Sequence, residues 1–238
     1  MILAAAAAQA EPVTCREADQ GTNRYAVCEV DAATADLRLF LADDQGVAYG
    51  HFSAIDRALR DSGLELAFAM NAGMYHEDRA PVGYYVENGV ERQRLMRGAS
   101  PGNFGLVPNG LLCIGQGEAR VIETEAFATA PRDCRFATQS GPMLVIDGLH
   151  PRFLEDSTSR FVRNGVGTSD DGARAVFVIS RNPVTFHEIG RFFRDDLGLN
   201  QALFFDGNIS RLYAPQLGRD DAGFRMGPIV GVVAPLGD

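Results

Sequence analysis

The sequence contains no lysine and no tryptophan, so all 22 of its basic residues are arginines. Without lysine the chain cannot form a Schiff base with a carbonyl substrate, and it has no Walker-type lysine to bind a nucleotide phosphate. Any phosphate that this protein binds must therefore be held by arginine side chains, hydroxyl groups and backbone N–H groups.

Positive charge is also scarce, since 31 acidic residues give a formal net charge of −9. No basic stripe offsets this charge, which argues against a nucleic-acid partner. No apolar run reaches the ~18 residues of a membrane-spanning helix. The patterns Cys-x-x-Cys and His-Glu-x-x-His are absent, and no Gly-x-Gly-x-x-Gly follows a strand. Zinc-ribbon, thioredoxin-like and dinucleotide-binding proteins are thereby disfavoured, while the oligomeric state stays undefined.

The N-terminus and the cysteines point to export. Residues 1–10 are typical of a truncated export signal, with Ala8-Gln9-Ala10 as the cleavage pattern after a short apolar stretch. An even number of cysteines in an exported protein favours disulfides. We predict a periplasmic or secreted protein with Cys15 bonded to Cys28, while a second bond between Cys113 and Cys134 stays open. The alternative is a cytosolic protein with four thiols.

The order of predicted elements indicates an α+β fold. Many short apolar or alternating runs predict strands, whereas only two segments have good helical spacing: one begins at Ser53 and stops at Gly63, and the other covers residues 185–197 and is capped by Gly198. Hairpins are predicted around Asn88-Gly89 and over residues 105–114. We expect a single domain over residues 25–238, with a mixed, strongly twisted sheet and few helices, preceded by a polar arm at residues 11–24.

Three apolar runs end in small polar loops, and these loops look like parts of one site. They are Leu66–Met70 before Asn71-Ala72-Gly73, Phe136–Thr138 before Gln139-Ser140-Gly141-Pro142, and Ala202–Phe205 before Asp206-Gly207-Asn208-Ile209-Ser210. Glycine permits a tight turn or close approach to a ligand, and functional side chains are common on such loops.

These segments resemble the phosphodiester glycosidase family over about residues 25–233. The resemblance rests on the three loops and on Arg163, which precedes Val166-Gly167. Asn208 departs from the Asp-Gly-Gly that such chains usually carry, although asparagine tolerates a left-handed backbone better than most residues. The resemblance implies hydrolysis of a small-molecule or glycan substrate in which a sugar is joined through a phosphodiester.

Asp206 and Arg163 are the predicted catalytic residues. Asp206 follows an apolar run, so a partly dry environment is expected to raise the pKa of its carboxyl group. Arg163 presents a planar fork that fits phosphate; Arg160 is the weaker candidate, with a surface ion pair to Glu155 or Asp156 as its alternative role. The predicted substrate-binding residues, several of them implied by the resemblance alone, are Asn71, Gly73, Gln139, Ser140, Gly141, Gly207 and Ser210.

Two other functions stay open at this point. Asp206, Asp170 and Asp171 are acidic candidates for holding Mg²⁺ or Ca²⁺ in a phosphodiesterase that cleaves the P–O bond. Tyr75, Tyr84 and Tyr85 are candidates for stacking on a sugar in a glycan-binding module without turnover. The favoured glycosidase chemistry requires no cofactor and no metal.

Overall fold

The computed structural model describes residues 11–206 and 209–237, which form three antiparallel sheets. The first sheet has the order β1-β2-β12-β11-β13-β10, with β1 Val13–Gln20, β2 Asn23–Asp31, β10 Met143–Ile146, β11 Asn164–Thr168, β12 Arg174–Ser180 and β13 Gln201–Asp206. The second has the order β15-β14-β4-β16-β3, with β3 Asp36–Phe40, β4 Leu64–Asn71, β14 Leu212–Ala214, β15 Arg219–Asp220 and β16 Ile229–Pro235. The third has the order β6-β5-β9-β7-β8, with β5 Tyr85–Glu87, β6 Val90–Gln93, β7 Gly110–Ile114, β8 Ala119–Glu123 and β9 Phe136–Ser140.

This arrangement confirms the α+β class and the single domain. The sequence predicted one mixed sheet, whereas the described strands pair antiparallel and divide among three sheets. Apolar side chains from all three sheets, such as Phe177, Phe68 and Phe136, share one large core. A sheet that is buried against two others on its inner face needs no crossover helices, which explains why so few helices are present.

The helices are short and sit outside the sheets. Helix α1 (Phe52–Arg60) buries Phe52, Ile55 and Leu59 against the second sheet, as its spacing predicted. Helix α2 spans Thr124–Thr129, and α3 spans Phe186–Arg191. The predicted helix at residues 185–197 therefore begins as expected, but it continues from Phe192 to Asp196 as a π-helical turn.

Local chemistry explains where α3 starts and where the chain turns afterwards. The Thr185 hydroxyl accepts from the Glu188 N–H, and the Glu188 carboxylate accepts from the Thr185 N–H, which is a reciprocal cap. After the π-helical turn, Gly198 takes a left-handed φ of 64°, a conformation that costs glycine little. A short turn of 3-10 helix spans Pro215–Leu217.

The segment predicted as an N-terminal arm, residues 11–24, contains β1 and the start of β2. Cys15 lies directly opposite Cys28 in this antiparallel pair, and the two form a disulfide. Cys113 on β7 is bonded to Cys134 just before β9. The predicted Cys15–Cys28 bond is thus confirmed, and the structure settles the open question of Cys113 and Cys134 in favour of a bond. The predicted export signal at residues 1–10 lies outside the described residues.

One predicted hairpin is confirmed and the other is displaced. Asn88 and Gly89 join β5 to β6 with φ values of 52° and 76°. The hairpin predicted over residues 105–114 is instead formed by β7 and β8. Pro108 has no N–H for a strand ladder, and the Asn109 side chain holds its segment as a loop by donating to the Phe104 carbonyl oxygen.

No helix in the part of the chain that the structure describes is long and apolar enough to cross a membrane.

Candidate active site

The three predicted loops converge, and each comes from a different sheet. The first follows β4 of the second sheet, the second follows β9 of the third, and the last follows β13 of the first. The Thr138 hydroxyl donates to the Ala72 carbonyl oxygen at 2.6 Å, which joins the first two loops. The Ser140 hydroxyl donates to the Phe205 carbonyl oxygen at 2.9 Å, which joins the second loop to the last.

A pair of buried asparagines connects the first loop to the last. The Asn164 amide nitrogen donates to Asn71 Oδ1 at 2.7 Å, and Asn164 Oδ1 accepts from the Asp206 N–H at 3.1 Å. Asn71 Oδ1 also accepts from the Arg211 N–H at 2.9 Å. Both amides are fully buried, so these bonds are protected from water and fix the backbone at Asp206.

A cavity of about 530 Å³ opens beside this junction. It is lined by Met74, Tyr75, Val82, Gly102, Asn103, Phe161, Arg163, Asp206 and Ile209. The two predicted catalytic residues therefore share one cavity, and its size suits a small organic ligand. Larger depressions exist next to β3. They contain none of the predicted catalytic or substrate-binding residues, although one of them is lined by Tyr84, a sugar-stacking candidate.

Asp206 is half-buried at the end of β13, where its strand pairs with the first residue of β11. The Ser210 hydroxyl oxygen lies 2.9 Å from the Asp206 carbonyl oxygen and 3.0 Å from the Val162 carbonyl oxygen, so its single proton is shared between these two acceptors. The carboxylate lies close to Tyr75: burial raises the pKa of the Tyr75 phenol, and the charge of Asp206 raises it further.

Arg163 is a buried cation that carries no carboxylate partner among residues 11–206 and 209–237. Its Nε donates to the Val184 carbonyl oxygen at 2.9 Å, and Nη2 donates to the Ser159 carbonyl oxygen at 3.1 Å. Its Nη1 forms no hydrogen bond with another of the described residues, and the side chain lines the cavity. Burial lowers the pKa of Arg163 to about 10, so the side chain stays protonated at neutral pH.

Aromatic rings surround this guanidinium. Its Cζ lies 3.7 Å from the centroid of the Phe186 ring, 5.3 Å from that of Phe161 and 5.6 Å from that of Phe204. Ring faces attract a cation, which offsets part of the cost of burying Arg163. The rings carry no negative charge that would neutralise the guanidinium, so Arg163 gives the cavity one strong site for a phosphate oxygen.

Gln139 and Ser140 are engaged by the protein itself. The Gln139 side-chain oxygen accepts from the backbone N–H groups of Tyr84 and Met96, and its nitrogen donates to the Met96 carbonyl oxygen and the Thr124 hydroxyl. The Ser140 hydroxyl is used by the bond to Phe205. Both side chains hold the second loop in place, and their predicted contact with substrate remains untested.

The predicted glycines allow close packing. Gly73 has a φ of 126°, and a Cβ there would lie 3.0 Å from the Thr138 hydroxyl oxygen. A Cβ at Gly141 would lie 2.7 Å from the Phe104 carbonyl oxygen and from Asn109 Cβ. These positions bring the loops together, whereas the predicted Gly207, like Asn208, lies outside the described residues.

Other charged candidates lie elsewhere. Arg160 forms an ion pair with Glu188 at 2.7 Å, a different partner from the two acidic residues expected. Asp170 and Asp171 occupy the turn between β11 and β12, where their carbonyl oxygens accept from Arg120. Asp206 pairs with the opposite end of β11, about 15 Å or more away. These three carboxylates therefore cannot share one cation. Within the described ranges no three His, Cys, Asp or Glu side chains cluster as a metal site.

Sequence reasoning missed Asn164, Arg211 and Phe161. Asn164 directly follows Arg163 at the start of β11, and an asparagine within a strand is unfavourable on propensity alone, which was the available signal. Phe161 precedes the same segment, but one exposed phenylalanine in a sequence gives no sign that a cavity lies beside it. Tyr75 was predicted as a sugar-stacking candidate, and it does line the cavity, whereas Tyr85 is fully buried.

Comparison with known proteins defines the class. The model of the phosphodiester glycosidase family matches residues 65–224. The uncharacterized protein YigE of Escherichia coli (strain K12) is 32% identical over 185 residues, which span 77% of this chain and 72% of that protein. The chain belongs to the phosphodiester glycosidase family, and this membership supports a glycosidase-type hydrolase.

Two solved structures share the fold. The auto-inhibited catalytic domain of zebrafish N-acetylglucosamine-1-phosphodiester alpha-N-acetylglucosaminidase, with its pro-peptide, is 10% identical with a TM-score of 0.60, over 92% of this chain and 81% of that one. A hypothetical protein from Synechocystis is 13% identical with a TM-score of 0.58, over 95% of this chain and 64% of that one. At such identities the likeness concerns the fold alone.

Proposed function

We propose that this protein hydrolyses sugar 1-phosphodiesters by breaking the bond between the sugar C1 and the phosphate oxygen. The observation that carries the proposal is the position of Arg163, a buried cation without a carboxylate partner among the described residues, in the same cavity as Asp206. A phosphodiester is an anion that needs such a cation. Membership of the phosphodiester glycosidase family supports the same reaction class.

Arg163 would hold the phosphate and stabilise it as it leaves. Its Nε and Nη2 are fixed by carbonyl oxygens, and Nη1, which has no hydrogen-bond partner among the described residues, would donate to a phosphate oxygen. Ordinary glycosidases use one carboxylic acid to protonate an alkoxide leaving group. A phosphate monoester is a much better leaving group, so electrostatic stabilisation by a preorganised cation replaces that acid.

Asp206 would then act alone on the sugar, either as the base that activates water or as the nucleophile at C1. The Asn164 side chain and the Ser210 hydroxyl hold its backbone on both sides. Tyr75, beside this carboxylate, offers a ring face for the sugar. The two disulfides favour an oxidising compartment, so we place the reaction in the periplasm or outside the cell, on envelope or extracellular glycoconjugates.

The test is an end-product assay with an α-N-acetylglucosamine 1-phosphodiester, with and without chelator. Wild type is expected to release free sugar and a phosphomonoester. In water labelled with heavy oxygen, the label should enter the sugar at C1 and not the phosphate, which distinguishes C1–O cleavage from cleavage of the adjacent P–O bond. Asp206→Asn should lower kcat by about 10²–10⁴-fold, because its amide can neither take a proton nor attack C1. The matched control is Asp220→Asn on exposed β15, which should retain full activity.

Two results would contradict the proposal. Release of sugar 1-phosphate would show that the P–O bond breaks instead, and loss of activity with chelator would then indicate a metal-dependent phosphodiesterase. Near-full activity of Asp206→Asn would remove this residue from the reaction.

A further inference from the structure

Phe161 is exposed at the cavity although its position is fixed. Its side chain is 48% exposed and lines the cavity. Its backbone makes two hydrogen bonds with Val184, the Phe161 N–H donating at 3.1 Å and the Val184 N–H donating back at 2.8 Å. The ring therefore cannot turn into the core by a shift of the chain, and it presents an apolar face to whatever occupies the cavity.

The position of Phe161 beside Arg163 indicates which part of a substrate its exposed ring would contact. Phe204 is fully buried and Phe186 is partly covered, so Phe161 is the most exposed of the three rings around the guanidinium. A phosphate held by Arg163 would thus lie next to the open face of Phe161.

The sugar side of the cavity lies elsewhere. The Tyr75 ring lies beside Asp206, whose charge raises the pKa of its phenol, and it is contacted by the Arg79 guanidinium at 5.4 Å. The ring of Phe161, by contrast, is contacted by the Arg163 guanidinium at 5.3 Å. Tyr75 and Asp206 thus form one end, and Arg163 with Phe161 forms another. With the sugar C1 at Asp206 and the phosphate at Arg163, the second substituent of the phosphate is directed to Phe161.

We propose that Phe161 is a specificity-determining residue that binds the group on the far side of the phosphate, and that this group carries an apolar face, such as an alkyl chain or a saturated ring. This inference rests on the proposed function for the orientation of the substrate. A flat phenylalanine ring gains affinity by covering carbon surface and offers no hydrogen bond to a polar group.

Binding of phosphomonoesters tests this without knowledge of the sugar. Calorimetric titration would compare methyl phosphate with cyclohexylmethyl phosphate, two alkyl phosphates of similar charge. Wild type should bind the larger ester on the order of tenfold more tightly, as expected when ~50 Å² of apolar surface is covered. Phe161→Ser should reduce this ratio to about one, and Phe161→Leu should retain part of it.

Phe224→Ser is the matched control, because Phe224 is 81% exposed but does not line the cavity. It should keep the wild-type ratio. An equal affinity of wild type for the two esters, or an unchanged ratio in Phe161→Ser, would overturn the role of Phe161.

The same substituents in diester substrates separate this inference from the proposed function. With methyl and cyclohexylmethyl diesters of the sugar 1-phosphate, Phe161→Ser should raise KM for the larger substrate alone and leave kcat unchanged. Turnover of both diesters with no preference would overturn the inference and leave the proposed function standing. Ester binding that depends on Phe161 without release of free sugar would support this site while contradicting the proposed function.

Discussion

Two buried arginines in this protein stack on phenylalanine rings, yet they differ in what their donors contact. Arg211 lies over Phe52, and its Nε, Nη1 and Nη2 all donate to the carbonyl oxygens of Asp221 and Phe224. Arg163 lies over Phe186, but its Nη1 has no partner in the described part of the chain. All three nitrogens of the Arg211 guanidinium hold a loop, whereas Nη1 of Arg163 has no such role among the described residues.

The charges around the two side chains differ in the same way. Burial lowers the pKa of both guanidinium groups, but Asp221 and Asp220 counteract this effect at Arg211. Among the residues that the structure describes, no acidic side chain does so at Arg163. A buried charge without a counter-charge is costly to the folded protein. Its retention at a cavity therefore indicates a ligand that supplies the missing negative charge.

The largest effect is expected for activity after Arg163→Gln. This change removes the cation that would stabilise the leaving phosphate, so kcat should fall by about 10²–10³-fold. The free energy of unfolding should change by only about 1 kcal/mol, because relief from burying the charge offsets the lost hydrogen bonds. Steady-state kinetics and thermal unfolding measure the two quantities. Arg160→Gln is the control, since Arg160 forms an exposed ion pair with Glu188 and should retain activity.

Arg211→Gln should show the opposite pattern. Three nitrogens that hold the chain between Asp221 and Phe224 are lost, and the carbonyl oxygens of these two residues lose their donors. We expect the free energy of unfolding to fall by about 2–4 kcal/mol. The folded fraction should still turn over substrate within a few-fold of wild type. If Arg211→Gln lost activity as strongly as Arg163→Gln while staying folded, the distinction between the two arginines would be wrong.

Sequence patterns predicted individual helices and turns well, but they did not predict which strands pair with each other. The sequence left the Cys113–Cys134 bond open, whereas the helix that starts near Ser53, the Asn88-Gly89 turn and the Cys15–Cys28 disulfide followed from local signals. These signals were helical spacing, residues that accept positive φ, and an even count of cysteines in a chain with export features. Division into three sheets did not, because strand pairing depends on contacts between residues far apart in the chain.

The candidate site shows the same limit. The loops at Asn71, Ser140 and Asp206 were found from glycines and polar residues at strand ends, and they do converge. The use of each side chain was not visible: a sequence cannot reveal that the Gln139 amide is consumed by backbone groups or that Arg163 keeps one nitrogen available. Such roles depend on which donors and acceptors remain unmatched after folding.

Binding of phosphate should raise thermal stability only in variants that keep Arg163, which provides a further test of its role. An anion that binds only the folded protein stabilises it by RT ln(1 + [L]/Kd), about 1.4 kcal/mol at ten times Kd. We expect inorganic phosphate to raise the Tm of wild type and of Arg160→Gln, and to leave that of Arg163→Gln unchanged relative to chloride at equal ionic strength. An equal rise in all three proteins would show that phosphate acts on the surface or on the solvent instead.

The smallest expected effect is the pH dependence of stability that His150 causes. This histidine stands at the end of a row of aromatic rings that begins at Arg163. The ring centroids of His150 and Phe153 are 4.7 Å apart, those of Phe153 and Phe186 are 4.9 Å apart, and Phe186 contacts Arg163. His150 Nδ1 accepts from the Arg152 N–H at 3.2 Å, while Nε2 faces the Val107 carbonyl oxygen. The neutral ring fits this environment, since protonated Nδ1 would have no lone pair for Arg152.

Burial lowers the pKa of His150 below its usual 6.5, so the unfolded chain binds the proton more tightly than the folded protein does. Stability from this group is therefore present above pH 6.5 and is lost as pH falls through the lower, folded-state pKa. We expect a loss of about 1 kcal/mol or less between pH 7 and 5 that His150→Gln lacks. His76→Gln, at an exposed histidine, should keep the wild-type pH dependence. Thermal unfolding across this range measures the difference. If the stability of His150→Gln depended on pH in the same way as that of wild type, protonation of His150 would not contribute to the loss of stability in acid.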